Sequence, residues 1–91
     1  GLIEYGLKMQ KPVILHEEEI LELVSKKEVE IYNTLPKVWM GVPLKVENRL
    51  TGFISLRSYH NRNTYNEKDL ELLDFISGQI ALAIERKQYE D

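Results

Sequence analysis

Two apolar patterns dominate the C-terminal half of the chain, a hairpin and then a long helix. Segment 38–59 reads VWMGVPLKVENRLTGFISLRSY and predicts two strands joined by the turn Glu47-Asn48, since Asn tolerates a positive φ. Segment 67–89 reads EKDLELLDFISGQIALAIERKQY and repeats apolar residues at helical spacing. A hairpin that leads into a long amphipathic helix is typical of a signalling module rather than a catalytic one.

Shorter elements are predicted before the hairpin. Ile3 and Leu7 share one helical face, and Pro12 ends that helix because it disfavours the helical conformation of Lys11. Acidic residues at 17–19 favour the start of another helix through its macrodipole. The predicted elements are a helix over 2–9, a strand over 13–15, a helix over 17–26 and a connecting loop over 28–36.

The predicted turn fixes an expected register for the hairpin, with Val42 opposite Phe53 and Met40 opposite Ser55. One face then carries Val38, Met40, Val42, Leu44, Val46, Phe53, Ser55 and Arg57. The other carries Trp39, Gly41, Pro43, Leu50, Gly52, Ile54 and Leu56. Both faces are mainly apolar, so both are expected to be covered, and the two glycines leave room for a close approach on one of them.

The helix over 67–89 carries two apolar sets, so its apolar arc is wide enough for two neighbours, the sheet and a partner helix. The first set is Leu73, Ile76, Ile80, Ala83 and Ile84, extended by Leu70, Ser77 and Lys87. The second set, the candidate dimer and signalling surface, is Leu72, Phe75, Gln79 and Leu82. Burial of both sets in one core is the alternative. Either Thr64 or Asn66 is expected to cap the helix.

Composition narrows the class of protein. The chain has 91 residues, a net charge of −3 and no Cys. This length makes one small domain, and the acidic balance argues against a nucleic-acid partner. The sequence has no signal-peptide pattern, and no run approaches the roughly 20 apolar residues of a membrane span. We expect a cytoplasmic domain with no membrane contact from this segment.

Residues that could support catalysis or bind metal are scattered. His16 and His60 have no His or carboxylate at the i+4 spacing of a helical metal site, and the absence of Cys excludes a thiolate nucleophile. There is no Gly-rich phosphate loop and no G-x-S-x-G motif. We therefore expect no enzyme, no catalytic residue and no metal. Four aromatic residues either line a pocket or belong to the core, namely Tyr5, Tyr32, Trp39 and Tyr59.

Two strings give the chain a family resemblance. PKVWMGVPLKVENRLTGFISLRSY, followed by YNEKDLELLDFISGQIALAIERKQYE, resembles the C-terminal half of a GAF domain. The match is to GAF domains that precede histidine kinase or GGDEF diguanylate cyclase modules in bacterial signalling proteins. The upstream GLIEYGLKMQKPVIL is similar to the helix and strand of that family. The resemblance implies an α+β, GAF/PAS-like antiparallel sheet with helices packed on one face, spanning 1–91 and incomplete at its N-terminus.

The same resemblance bears on single residues. Some GAF domains carry an N-K-…-F-x-x-x-D-E motif, to which Asn48, Arg49, Tyr65, Asp69 and Leu70 are similar in spacing. It implies a structural ion pair between Arg49 and Asp69. Bilin attachment and the methionine sulfoxide reductase activity of one branch require a Cys, which is absent, so no cofactor is expected and the small-molecule ligand stays open.

The function implied by the resemblance is a non-catalytic sensory module that relays ligand or conformational state to an output domain. The partners implied are a second copy in a homodimer and a covalently linked histidine kinase or diguanylate cyclase. The alternative is a ligand-free dimerisation or spacer module. If a ligand site exists, we expect it between the sheet and the 15–36 crossover, where long irregular segments often bind ligands. Its candidate residues are Met40, Phe53, Ser55 and Arg57.

Overall fold

The structure, a computed structural model, describes residues 1–90, and Asp91 at the end of the predicted domain lies outside the described residues. Its elements in chain order are α1 (Leu2–Met9), β1 (Val13–His16), α2 (Glu17–Ser25), β2 (Val38–Val46), β3 (Arg49–Ser58) and α3 (Glu67–Glu90). Each bound lies within one residue of its sequence-based prediction.

The three strands form one antiparallel sheet in the order β1-β2-β3, which confirms the α+β class. The hairpin turn is the predicted one. Glu47 and Asn48 have φ values of 51° and 65°, and two successive positive φ values give a turn whose twist matches that of the flanking strands. Val46 therefore pairs with Arg49, as expected.

The register beyond the turn differs from the prediction because β3 contains a bulge. Lys45 pairs with Leu50 and Leu44 pairs with Gly52, so Thr51 is left without a partner residue on β2. The Thr51 hydroxyl instead donates a hydrogen bond of 3.2 Å to the Leu44 carbonyl oxygen. One extra residue exchanges the two faces of the rest of the strand.

The expected pairs of the hairpin are therefore wrong by one residue. Val42 lies opposite Ile54 rather than Phe53, and Met40 lies opposite Leu56 rather than Ser55. The same shift separates the two glycines that the predicted register put on one face, because Gly41 pairs with Ser55 and Gly52 pairs with Leu44.

One side of the sheet, which we call the α3 face, packs against α3. The buried residues of this layer are Met40, Val42, Leu44, Val46, Leu70 and Ala81, with Ile14, Ile54, Tyr65, Leu73 and Ile80 packed around them. The α3 residues among them, together with buried Ser77, recur every three or four positions along the helix. This spacing turns one stripe of α3 toward the sheet along much of its length.

The opposite side, which we call the crossover face, is covered by α1, α2 and the connection 26–37. Its buried residues are Leu2, Leu15, Ile20, Val29 and Trp39, and Tyr5, Val13, Leu23, Val24, Ile31, Leu35 and Phe53 pack against them. The expected one-sided packing therefore describes α3, while α1 and α2 lie on the other side. The sheet is a central layer between two helical coverings.

Caps explain where two of the helices begin. The Asn66 carboxamide oxygen accepts hydrogen bonds from the backbone N–H groups of Lys68 and Asp69 at 2.9 and 3.1 Å. The Asp69 carboxylate accepts one from the Asn66 backbone N–H at 2.8 Å, which completes a reciprocal cap. Of the two predicted candidates, Asn66 is the cap of α3. The Glu19 carboxylate accepts from the His16 backbone N–H at 2.9 Å at the start of α2.

Candidate functional site

The bulge divides the predicted ligand-binding residues between the two faces. Phe53, Ser55 and Arg57 lie on the crossover face, opposite Pro43, Gly41 and Trp39 of β2. Met40 lies on the α3 face, where it is 2% exposed and packs with Val42 and Leu70. Met40 therefore does not share a surface with the other three residues, which corrects that part of the expected site.

Phe53 is partly buried on the crossover face, where it packs against the core cluster around Trp39. Its ring stacks on Trp39 with centroids 6.1 Å apart and an interplanar angle of 15°. A Cβ atom at Gly6 of α1 would overlap the Phe53 ring, and one at Gly41 would lie 2.5 Å from the same ring. Close packing between α1 and the sheet thus depends on two glycines, and Phe53 is a core residue.

A cavity of about 220 Å³ opens at the edge of this packing, between the end of β3 and the connection 26–37. Arg57 and Tyr59 line its sheet side, and Leu2 contributes from α1. The connection contributes Glu30, Ile31, Tyr32, Asn33, Thr34 and Pro36. A shallower cleft shares Asn33, Thr34 and Tyr59 with this cavity and adds His60. Of the four candidate residues, Arg57 lines the cavity.

The aromatic residues that the sequence left undecided divide between core and cavity. Tyr5 and Trp39 belong to the core of the crossover face. Tyr32 and Tyr59 line the cavity, and Tyr32 is 86% exposed. The polar lining of the connection carries no sequence motif, because 26–37 has no regular period. The short exposed stretch Tyr32-Asn33-Thr34, between the buried Val29 and Pro36, is the signal that could have identified it.

The charged side chains that line the cavity are Arg57 and Glu30, and the amino group of Gly1, which pairs with the Glu4 carboxylate at 2.7 Å, lies at the same cavity. The Arg57 guanidinium donates a hydrogen bond of 3.4 Å to the Ser55 hydroxyl. The arginines at 49 and 62 pair with carboxylates, but Arg57 has none within 4.0 Å among the side chains described, those of residues 1–89. The Glu30 carboxylate accepts a hydrogen bond from the Tyr32 hydroxyl, which raises the pKa of Tyr32. Arg57 is therefore free to bind an acceptor.

The expected ion pair of Arg49 with Asp69 is wrong. The Arg49 guanidinium lies 3.5 Å from the carboxylate of Glu85, which is sixteen residues after Asp69 on α3. The second Glu85 carboxylate oxygen is buried and has no hydrogen-bond partner among residues 1–89. The turn of the hairpin thus contacts the C-terminal part of α3.

The second apolar set of α3 faces away from the sheet. Leu72, Phe75 and Leu82 are 58, 70 and 41% exposed, and Gln79 is exposed beside them. Ile76 and Ile84 of the first set are also exposed, at 38 and 48%. The alternative in which one core buries both sets does not hold for the described residues.

Among the side chains of residues 1–89, no group of three His, Asp or Glu is arranged to hold a metal ion. His16 lies 3.4 Å from the Glu19 carboxylate at the start of α2, and His60 lines the shallow cleft. No helix in the described part of the chain is long and apolar enough to cross a bilayer.

Similarity to known families agrees with this architecture. A family profile described as GAF domain matches residues 1–85, which is most of the chain, and the chain belongs to the GAF domain family. GAF domains are generally regulatory modules that sense small molecules. No curated protein and no solved structure shows significant similarity to the chain.

Proposed function

We propose that the chain is a non-catalytic sensory GAF module of a bacterial signalling protein, which relays occupancy of the Arg57 cavity to a covalently linked output domain. The observation that carries the proposal is the cavity itself. An arginine without a carboxylate partner lines it together with polar groups of an irregular connection. Such a segment, held against a rigid sheet, is a common ligand-binding element.

The relay runs along β3. Arg57 lies near the end of this strand, and Arg49 is its first residue. Arg49 contacts Glu85, so the strand that lines the cavity also contacts the C-terminal part of α3. A ligand that prefers one position of β3 would bias the position of α3, which then acts on a histidine kinase or diguanylate cyclase.

The exposed set of α3 supports a homodimer as the assembled state. Leu72, Phe75, Gln79 and Leu82 alternate at spacings of three and four residues, which is the seam that two parallel helices present to one another. A single polar residue such as Gln79 in a seam favours one register. This surface and the filled crossover face favour the second candidate function, a dimerisation or spacer module without a ligand.

Thermal shift against a panel of metabolites separates the two functions. The sensor predicts a rise in melting temperature with at least one compound, since a ligand that binds the folded state stabilises it. The rise should disappear in Arg57→Gln and persist in the control Lys68→Gln, on exposed α3. The single tryptophan, Trp39, is the strand partner of Arg57 and gives a fluorescence readout. No shift across the panel would favour the spacer.

Light scattering tests the dimer independently. We expect a dimer at roughly 100 μM, because an interface of standard size persists well below that concentration. Phe75→Glu should yield a monomer by placing a charge in the seam. Leu21→Glu is the matched control, since Leu21 is also half-exposed on a helix but lies on α2. A monomeric parent chain would contradict the dimer.

A further inference from the structure

The two edges of the sheet differ in how far they are protected. β1 forms one edge with four residues, which lie directly between Pro12 and the first residue of α2. A strand this short offers few backbone groups for pairing, and the Glu19 carboxylate already accepts the His16 backbone N–H. β3 forms the other edge with ten residues and contains neither Pro nor Lys. These residue types commonly protect an edge strand from pairing with another chain, so the β3 edge is the less protected one.

The outer side of β3 lacks backbone partners along most of its length. β2 pairs with the other side of the strand, and after the bulge this pairing is regular from Gly52 to Ser58. Outside that pairing, backbone hydrogen bonds of the described residues reach β3 at one place, from the Lys37 N–H to the Ser58 carbonyl oxygen at 2.8 Å. Alternate N–H and C=O groups of 52–57 therefore face away from β2 without a backbone partner among the described residues.

The side chains beside this edge define what a further strand would contact. On the α3 face Ile54 is partly buried and Leu56 is 37% exposed, and on the crossover face Phe53 is partly buried. An added strand would lie against these residues on both faces, because directly opposed side chains of neighbouring strands are about 5 Å apart. A strand that is apolar on both of its faces fits this edge.

Charge at the same edge narrows the choice of partner. Arg57 is exposed near the end of β3, and no carboxylate among the side chains of residues 1–89 lies within 4.0 Å of it. β3 itself carries Arg49 and Arg57 and no acidic residue. A second copy of β3 would therefore add guanidinium groups and no carboxylate. A different strand with an acidic residue opposite Arg57 would supply a favourable cross-strand pair.

We propose that the outer edge of β3 binds an extended polypeptide strand of different sequence, from outside residues 1–91, that is apolar on both faces and acidic opposite Arg57. The strand joins the sheet in the antiparallel orientation, whose ladder is slightly more stable per residue than a parallel one. Backbone groups of β3 supply the hydrogen bonds, and Phe53, Ile54 and Leu56 contact the apolar side chains. This interaction surface does not depend on a ligand in the cavity.

Blocked ten-residue peptides of valine and threonine test the proposal by calorimetry with the chain. The matching peptide carries glutamate at its third position, which places the carboxylate opposite Arg57 in an antiparallel pair. One comparison peptide carries lysine there, and another carries the glutamate at its eighth position, opposite Gly52. We expect the matching peptide to bind about three- to tenfold more tightly than either, because only it pairs with Arg57. Equal affinity for all three, or no binding at about 1 mM, would overturn the proposal.

Amide hydrogen exchange locates the bound peptide. An added strand should slow exchange at alternate residues of 52–58, because only every second N–H of β3 points outward. Slowed exchange in α3 or in the connection 26–37 without this alternation would contradict binding at the edge. If the chain alone showed the alternating protection, and the protection grew with protein concentration, a second copy would occupy the edge and the proposed partner would be wrong.

Charge reversal at Arg57 tests recognition of the acidic residue. In Arg57→Glu the preference should reverse, so that the lysine peptide binds more tightly than the matching peptide. The control Arg86→Glu, on the exposed side of α3, changes the net charge by the same amount and should keep the preference of the parent chain. An unchanged preference in Arg57→Glu would overturn the proposal. The same reversal in Arg86→Glu would also overturn it, since overall charge rather than Arg57 would then select the peptide.

Discussion

The two faces of the sheet are covered by different kinds of structure. On the α3 face a single regular helix packs through side chains that recur every three or four residues. On the crossover face two short helices and the irregular connection 26–37 surround Trp39 and Phe53, and a cavity remains at the edge. Regular packing leaves little space for a ligand, whereas an irregular covering leaves polar backbone and side chains beside the sheet. Sensing and transmission can therefore occupy opposite sides of one hairpin.

The bulge in β3 is what assigns residues to the two faces, so its removal is expected to have the largest effect. Deleting Thr51 would move Phe53 to the α3 face and leave the Trp39 ring without its partner. We expect a loss at least as large as that of truncating a buried aromatic, about 3–5 kcal/mol of unfolding free energy. Chemical denaturation followed by Trp39 fluorescence measures it. Thr51→Ala keeps the bulge and should cost only about 1 kcal/mol, for one hydrogen bond.

This bulge also marks the limit of the sequence-based account. The helix and strand bounds, the turn at Glu47-Asn48 and the cap candidate Asn66 follow from local patterns and turn chemistry. The register does not, because residues 52–56 are apolar or small on both sides and no alternation break signals Thr51. The predicted position of Met40 relative to the cavity is therefore wrong.

Long-range charge pairs were equally hard to foresee. The acidic partner of Arg49 cannot be chosen from the sequence, because α3 carries several acidic residues. The angle at which α3 crosses the sheet decides that Arg49 pairs with Glu85 rather than with Asp69. The lining of the cavity by Asn33 and Thr34 depends on the path of an irregular connection, which no period describes. By contrast, the exposed second set of α3 was readable from spacing alone, since one small sheet cannot cover so wide an apolar arc.

Two helical glycines give a sharper contrast between the faces. Gly6→Ala on α1 should destabilise the domain, because the added methyl group overlaps Phe53, which Gly41 and Trp39 confine. We expect overpacking of about 1–3 kcal/mol to exceed the helix-propensity gain. Gly78→Ala on α3 has open space around the added Cβ and should stabilise by about 0.5–1 kcal/mol.

Thermal denaturation of both glycine variants shows whether the signs are opposite. Combining Gly6→Ala with Phe53→Leu should recover part of the loss, since the smaller side chain removes the overlap. Strict additivity of the two substitutions would contradict a direct contact.

The cap at the start of α3 is expected to make a smaller contribution to the free energy of unfolding. Asn66→Ala removes the acceptor for two backbone N–H groups and should cost about 1 kcal/mol. Asn66→Asp keeps an acceptor and should cost much less. Hydrogen exchange at the first turn of α3 should accelerate in Asn66→Ala while protection in β2 is retained. Uniform acceleration through the sheet would show that the cap supports the whole domain.

The smallest expected effect concerns Glu18, which links the covering of the crossover face to the loop before α3. Hydrogen bonding to its own backbone N–H, and then to Arg62, lowers the pKa of the Glu18 carboxyl below its ordinary value of 4.5. A carboxyl with a lowered folded-state pKa stabilises the fold above its unfolded pKa, and this contribution is lost as the pH falls through the folded pKa.

Melting temperatures of the parent chain and Glu18→Gln should therefore differ slightly at neutral pH and converge under acid conditions, once the pH falls below the lowered folded-state pKa. Arg62→Gln should produce only a smaller part of this difference in melting temperature. The hydrogen bond to the Glu18 backbone N–H is the larger cause of the lowered Glu18 pKa, and it remains in that variant. Salt should reduce the Arg62 part, since the pair is exposed at 2.9 Å. If Arg62→Gln removed the whole pH dependence, the ion pair rather than the helix start would be the source of the lowered pKa.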